Sequence, residues 1–126
     1  MIRLLSINEL ESEKRKFDAI FLISVLHVVD KPSTRKKLLW LAREKLSTPG
    51  FLIVDVPAGE RYYRQNCTMQ NRHGDGWVMG SGSIRTFYKT FGANEIDRLI
   101  ESCTRLTLFK STYIDKHIVR IWWSGA

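Results

Sequence analysis

The sequence predicts an α/β fold with a partly parallel sheet, and three observations predict it. Ala19 to Val29 is apolar almost without a break, the pattern of a strand covered on both faces. A basic, one-sided helical segment follows, and a second apolar run, Phe51 to Val56, comes after Pro49-Gly50. Two parallel strands need a crossover connection of this kind, so the three pieces read as one strand-helix-strand unit from Phe17 to Pro57.

The remaining elements are placed around that unit. Residues 2–7, IRLLSI, suit a short leading strand, with a polar stretch to Lys16 behind it. Asp30, Ser33 and Thr34 are helix-start residues, and a helix from Ser33 to Leu46 turns Leu38, Leu39, Leu41, Ala42 and Leu46 toward a sheet. Pro49-Gly50 fits the centre of a type II turn. From Ala58 to Arg85 glycines mix with polar residues and no period persists, so 58–85 reads as a lid or flexible insertion, with one helix near Glu60 to Gln65. Asn94 then caps a helix over Glu95 to Cys103, whose Ile96, Leu99, Ile100 and Cys103 share a face. Leu106 to Ile114 and His117 to Trp123 form an antiparallel hairpin about Asp115-Lys116.

Composition narrows the class. At 126 residues the chain makes a single domain, 1–126, able to bury roughly two-thirds of its unfolded surface. With 44% hydrophobic and 26% charged residues it is an ordinary globular sequence. It has no signal-peptide core and no apolar stretch of membrane-spanning length, and its two cysteines are too few for a disulfide framework. The expectation is a reduced, cytoplasmic protein with no membrane partner. The formal charge of +7 leaves nucleic acid open as a partner. The clusters Lys14-Arg15-Lys16 and Arg35-Lys36-Lys37 read more simply as solvated flanks and a helix face.

The wording of these elements resembles the C-terminal half of a class I, Rossmann-like S-adenosylmethionine-dependent methyltransferase. FDAIFLISVLHVV looks like the fourth strand of that family, REKLSTPGFLIVDV like the helix end, turn and fifth strand, and RTFYKTFGANEIDRLIESC like the approach to the last helix. The resemblance implies a partial Rossmann-like sheet with strands equivalent to 3/4-5-7-6, the last strand antiparallel. It also implies a truncated relative, because the glycine-rich turn of the first β-α-β unit and the acidic end of the second strand have no counterpart here. Gly74-Asp75-Gly76 with Gly80 does not replace that turn, since no confident strand precedes it.

What the resemblance implies for chemistry is methyl transfer, in which most of the work is positioning donor and acceptor and excluding water. Cofactor contacts are expected at Ser24, Val25 and Leu26, at the carboxyl end of a strand, and at Ser6 and Asn8 in the leading strand, where the family often has an acidic residue. His27 is the candidate catalytic side chain, a general base suited to neutral pH, against the simpler reading of a hydrogen-bonded strand-end histidine. Asp55 and Glu60 can line the same crevice or lie on the surface. Tyr62, Tyr63, Arg64, His73 and Trp77 are candidates for the substrate lid. Cys67 and His73 lack further ligands at zinc spacing, so no metal is expected. Ser24 and His27 do not form a nucleophile elbow. Trp122-Trp123 puts adjacent rings on opposite faces of a strand, as in a sheet covered on both sides.

Three functions remain from this reading. The first is an S-adenosylmethionine-dependent methyltransferase, or a fragment of one, acting on a small molecule and of doubtful activity alone. The second is a non-catalytic methyltransferase-like interaction module that pairs with another chain, and the third is a piece of a nucleic-acid methyltransferase. With strands 1 and 2 missing, the strand Ala19–Val29 becomes an exposed apolar edge. That predicts self-association, or pairing with a complementary N-terminal chain, through this strand.

Overall fold

A computed structural model describes residues 2–58, 71–81 and 83–125. Two sheets form. The larger has the order β1-β2-β7-β6, from β1 (Phe17–Ile23), β2 (Leu46–Pro57), β7 (His117–Trp123) and β6 (Thr107–Ile114). β1 and β2 are parallel, and β7 runs antiparallel to both its neighbours. The four strands thus take the expected places of the fourth, fifth, seventh and sixth strands, with the last one reversed.

The helices lie on one face of this sheet. α2 (Pro32–Glu44) connects β1 to β2, and α3 (Ala93–Thr104) precedes the hairpin. Leu38, Leu39, Leu41 and Ala42 of α2 share a single core cluster with Ile96 and Ile100 of α3. The same cluster takes Leu22, Leu52, Val54, Val56, Ile118 and Trp122 from the strands. Arg120 of β7 is buried on this side too, and its Nε donates to Asp97 Oδ1 on α3 at 2.9 Å.

Several sequence expectations are corrected. The leading strand at 2–7 does not form: α1 (Ile7–Ser12) begins there instead. Ser6 Oγ accepts from the Glu9 N–H at 3.1 Å while Glu9 Oε1 accepts from the Ser6 N–H at 3.1 Å, a capping box that commits the segment to helix. The strand expected to reach Val29 stops at Ile23. There the Ser24 N–H donates to the Asp55 carbonyl and its Oγ to Asp55 Oδ2, both at 3.0 Å. These bonds hold Ser24 at φ 54° and turn the chain into a 3-10 segment, Leu26–Val28. The apolar run continues past the strand because Leu26 tucks fully into the core.

Pro49-Gly50 is not a type II turn, since Gly50 lies outside the left-handed region. Residues 47–50 instead leave the β1 ladder inside β2, between the pairs Phe17–Leu46 and Ala19–Phe51, and the Thr48–Pro49 peptide is cis. A Cβ at Gly50 would meet the Ser47 carbonyl oxygen at 2.6 Å, so only glycine allows this return. α3 starts at Ala93 rather than Glu95, with Gly92 as its N-cap donating its N–H to Glu95 Oε1 at 3.2 Å.

The described part of 58–85 is more regular than expected. β3 (Arg72–His73), β4 (Gly76–Ser81) and β5 (Ile84–Tyr88) make a three-stranded antiparallel sheet. Its glycines hid it from periodicity. Gly74 turns with φ +57°, and a Cβ at Gly76 would sit 2.3 Å from the Phe87 ring. The helix expected near Glu60 to Gln65 lies outside the described residues.

Candidate functional site at the strand ends

Four polar side chains meet at the carboxyl ends of β1 and β2, where open α/β sheets bind ligands. Ser24 follows β1, and His27 sits in the 3-10 segment behind it. Asp55 is near the end of β2, and His117 opens β7 opposite Pro57. Asp55 is buried and holds the group together. One carboxylate oxygen accepts from Ser24, and the other lies 2.9 Å from His117 Nδ1, in ion-pair contact without hydrogen-bond alignment.

His27 is 7% exposed, and its Nδ1 is buried without a hydrogen-bond partner among the described residues. Burial is the main reason its pKa falls below the ordinary 6.5, and the charge of His117 pushes the same way while Asp55 opposes it. His27 is therefore a neutral imidazole at neutral pH. A neutral imidazole at a strand end can take a hydrogen bond, or a proton, from a group that reaches it.

The small sheet is fastened above this cluster. The Lys89 N–H, just after β5, donates to the His27 carbonyl at 2.8 Å, and Ala58 bridges to Phe91. The Tyr88 ring is 5.8 Å from that of His27. On the α2 side Arg35, 3% exposed, grips Asp75 of the β3–β4 turn with bonds of 2.6 and 2.7 Å. Its Nε donates to the Val29 carbonyl at 2.8 Å, so one guanidinium ties the helix, the 3-10 segment and the small sheet together. The guanidinium bonds, aided by Lys89, hold the Asp75 carboxyl below its usual range against some desolvation.

The sequence candidates separate in the structure. Ser24 and His27 face the cluster, whereas Leu26 is fully buried among the core side chains and Val25 packs against that core. Ser6 caps α1 and Asn8 is exposed on it, with no described contact from either to the strand-end group. His73 lies in β3 with Nε2 3.5 Å from Asp30 Oδ2, and Trp77 in β4 stacks under Arg72 at 4.6 Å. Tyr62, Tyr63 and Arg64, with Glu60 and Cys67, lie outside the described residues. His117, Tyr88 and Lys89 were missed. Only the β2–β7 register, which local pattern does not reveal, brings His117 beside Asp55. Among the described residues no group of three or more His, Cys, Asp or Glu side chains is placed to hold a metal, and no helix is long and apolar enough to cross a membrane.

No protein-family model matches the sequence, and no curated protein matches it either. The three-dimensional comparison gives clear likenesses of fold. An S-adenosylmethionine-dependent methyltransferase from Clostridium acetobutylicum superposes on 98% of this chain at 13% identity with a TM-score of 0.67, using 64% of its own length. The 1,6-didemethyltoxoflavin-N1-methyltransferase of Burkholderia thailandensis, solved with 1,6-didemethyltoxoflavin and S-adenosylhomocysteine, covers 97% at 17% identity and a TM-score of 0.68, over 49% of its chain. A methyltransferase from Methanosarcina mazei covers 90% at 15% identity and a TM-score of 0.71, over 63% of its chain. The chain thus spans between about half and two-thirds of the structures it matches. Strand order, reversed last strand and superposition together identify its fold as that of part of an S-adenosylmethionine-dependent methyltransferase.

Proposed function

We propose that this chain forms the acceptor side of an S-adenosylmethionine-dependent methyltransferase acting on a small molecule, and that it is incomplete as a catalyst by itself. The observation that carries this reading is the group Ser24, His27, Asp55 and His117 under the small sheet, at the ligand-binding end of a methyltransferase-like fold. S-adenosylmethionine, when bound, supplies an electrophilic methyl group on a sulfonium. The residues present fit one side of such a site. Exposed Ser24 and the backbone of Val25 are what would hold the cofactor, with the half-enclosed cluster of His27, Asp55 and His117 beside them on the acceptor side. The Leu26 side chain does not fit, being sealed in the core.

His27 orients an acceptor hydroxyl or amine and takes its proton, which a neutral imidazole can do near pH 7. The small sheet, held by Arg35 and the Lys89 N–H, keeps water from that position. Calorimetric titration of the full chain with S-adenosylmethionine and S-adenosylhomocysteine tests the reading. Heat of binding that weakens in Ser24→Ala, with the thermal unfolding unchanged, supports it. No heat and no thermal shift at millimolar ligand would sink independent cofactor binding.

A second reading is a methyltransferase-like interaction module without catalysis. The exposed Phe21 and Ile23 of β1 favour it, because they make a contact surface that cofactor chemistry does not require. The nucleic-acid reading rests on net charge alone, and retention on DNA or RNA that weakens steeply with salt is its test.

A further inference from the structure

One row of side chains crosses the whole of the small sheet. Arg72 of β3 is registered with Trp77 of β4, and Trp77 with Tyr88 of β5. Registered partners in an antiparallel pair share a face, so these three stand side by side. The Arg72 guanidinium lies over the Trp77 ring at 4.6 Å, and at the other end the Tyr88 ring is 5.8 Å from that of His27. The opposite face of the sheet carries Phe87, which is buried against the Arg35 guanidinium at 5.7 Å. The row therefore runs along the other face and ends at the strand-end group. Neither Trp77 nor Tyr88 belongs to the core cluster, so packing of the large sheet does not explain two aromatic rings there.

We propose that this row recognises the methyl acceptor, and that the acceptor is a planar aromatic acid. Its ring lies against Trp77 and Tyr88, its carboxylate pairs with Arg72, and its nucleophilic group is presented to His27. This rests on the acceptor-side reading above and names the substrate class for it. Arg72 is the residue that points to an acid. It is exposed, and it makes no ion pair or hydrogen bond among the described residues. The carboxylates of that corner are engaged elsewhere, Asp75 by Arg35 at 2.7 Å and Asp30 by His73 at 3.5 Å.

The chemistry of the row fits that ligand. A guanidinium stacked flat on a ring keeps its in-plane N–H donors pointing outward, and their fork matches a carboxylate with two parallel bonds. Stacking also orders the arginine before the ligand arrives, so less freedom is lost on binding. The indole and phenol beside it accept another flat ring in offset or edge-to-face contact. Three neighbouring strands span two spacings, so the anion and the reacting group of the acceptor stand roughly 10 Å apart, the length of two fused rings substituted at both ends. The net charge of +7 draws a small anion to the protein. Arg85, registered with Gly80, is exposed on the opposite face of the same sheet and serves as the control for charge alone.

Calorimetric titration of the full chain with 6-hydroxy-2-naphthoate is the test, with 2-naphthol as the uncharged counterpart. The first is a rigid two-ring acid with its anion at one end and a hydroxyl at the other. The expected result is saturable binding in the millimolar range or tighter, about tenfold weaker for 2-naphthol, which lacks the charged hydrogen-bond partner. Arg72→Gln should erase that preference, and Arg72→Lys should keep only part of it, because an ammonium has the charge without the fork. Trp77→Leu should weaken both compounds alike, and Arg85→Gln should change neither. If Trp77→Leu does not fold, the two Arg72 variants, at an exposed position, still decide. Equal binding of the two compounds overturns the proposal, and so does a preference that survives Arg72→Gln or is lost equally in Arg85→Gln. No heat at about 5 mM ligand overturns it as well. S-adenosylhomocysteine or an oligonucleotide that displaces the acid, and is itself weakened by Arg72→Gln, gives the row to the cofactor or to nucleic acid and overturns it too. A chain that binds S-adenosylmethionine but no aromatic acid fails this proposal alone, whereas one that binds the acid but no cofactor fails independent cofactor binding alone.

Discussion

The two faces of the large sheet are built from the same residue types and differ in what surrounds them. On the helix side Leu52, Val56 and Leu39 are fully buried in one cluster. On the other side Phe21 and Phe109 are more than half exposed. The buried arginines also keep to the covered side, Arg120 against Asp97 and Arg35 against Asp75. The difference shows that the strand sequences specify two layers, while stability within the described chain comes from one. It also places the strand-end cluster at the seam, because Asp55 belongs to the open face and His27 to the turn that closes the other.

The largest effect should come from the covered face. Leu52→Ala removes a fully buried side chain, and such changes cost about 2–5 kcal/mol. For a domain of this size each kcal/mol shifts Tm by roughly 4 °C, so a loss of about 10 °C or more is expected. Phe21→Ala, at a side chain 60% exposed, should stay within about 0.5 kcal/mol. Thermal unfolding of both variants at low concentration decides the matter. Equal losses would mean that the two faces are equally sealed in solution.

A middling effect is expected where the small sheet is fitted to itself. Gly76→Ala puts a methyl group 2.3 Å from the Phe87 ring and 2.5 Å from the Tyr88 carbonyl, and backbone cannot yield as a side-chain tip can. Overpacking of this kind costs about 1–3 kcal/mol. The loss should appear as faster amide exchange in residues 76–88, with the large sheet unchanged. Exchange that speeds up across β1 and β2 as well would show that the small sheet and the covered face unfold as one unit.

A smaller effect follows from the latch on α2. Asp75 is partly exposed, so the screened value of Asp75→Asn is about 1 kcal/mol. Its pKa is lowered by Arg35, so the folded state prefers the carboxylate. The stabilisation is therefore present above the ordinary value of 3.8 and is lost as pH falls through the lower folded value. Amide exchange in β3 and β4 at decreasing pH should show the wild-type small sheet loosening below pH 3.8, while Asp75→Asn is already loose at neutral pH.

Much of this architecture was legible because it is local. The two apolar runs, the basic helix between them and the final hairpin follow from periodicity and turn residues, and they sit within a few residues of their expected places. Three features were not legible. Ile2 to Ile7 looks like a strand, but the Ser6–Glu9 capping box decides it, a reciprocal bond that overrides propensity. The small sheet escaped because Gly74, Gly76 and Gly80 erase alternation. The candidate site was half legible: Ser24 and His27 stand together in sequence, whereas His117 reaches Asp55 only through β2–β7 pairing across some sixty positions.

The smallest effect tests the seam itself. His27 has a depressed pKa, chiefly from burial, so the folded protein resists protonation that the unfolded chain accepts. Above the ordinary value of 6.5 both states hold a neutral ring and nothing changes with pH. Below it the unfolded state binds the proton first, so stability should decline as pH drops from 6.5 toward the lower folded value. His27→Gln should flatten that slope without changing stability at pH 8. The neighbours should move the ring in opposite directions. His117→Gln removes a repelling charge and raises the His27 midpoint, whereas Asp55→Asn removes a favourable carboxylate and lowers it. Proton NMR of the His27 ring through the titration reads both shifts. If neither substitution moves the midpoint, the cluster is not electrostatically joined, and the open-face carboxylate and the buried imidazole act as separate groups.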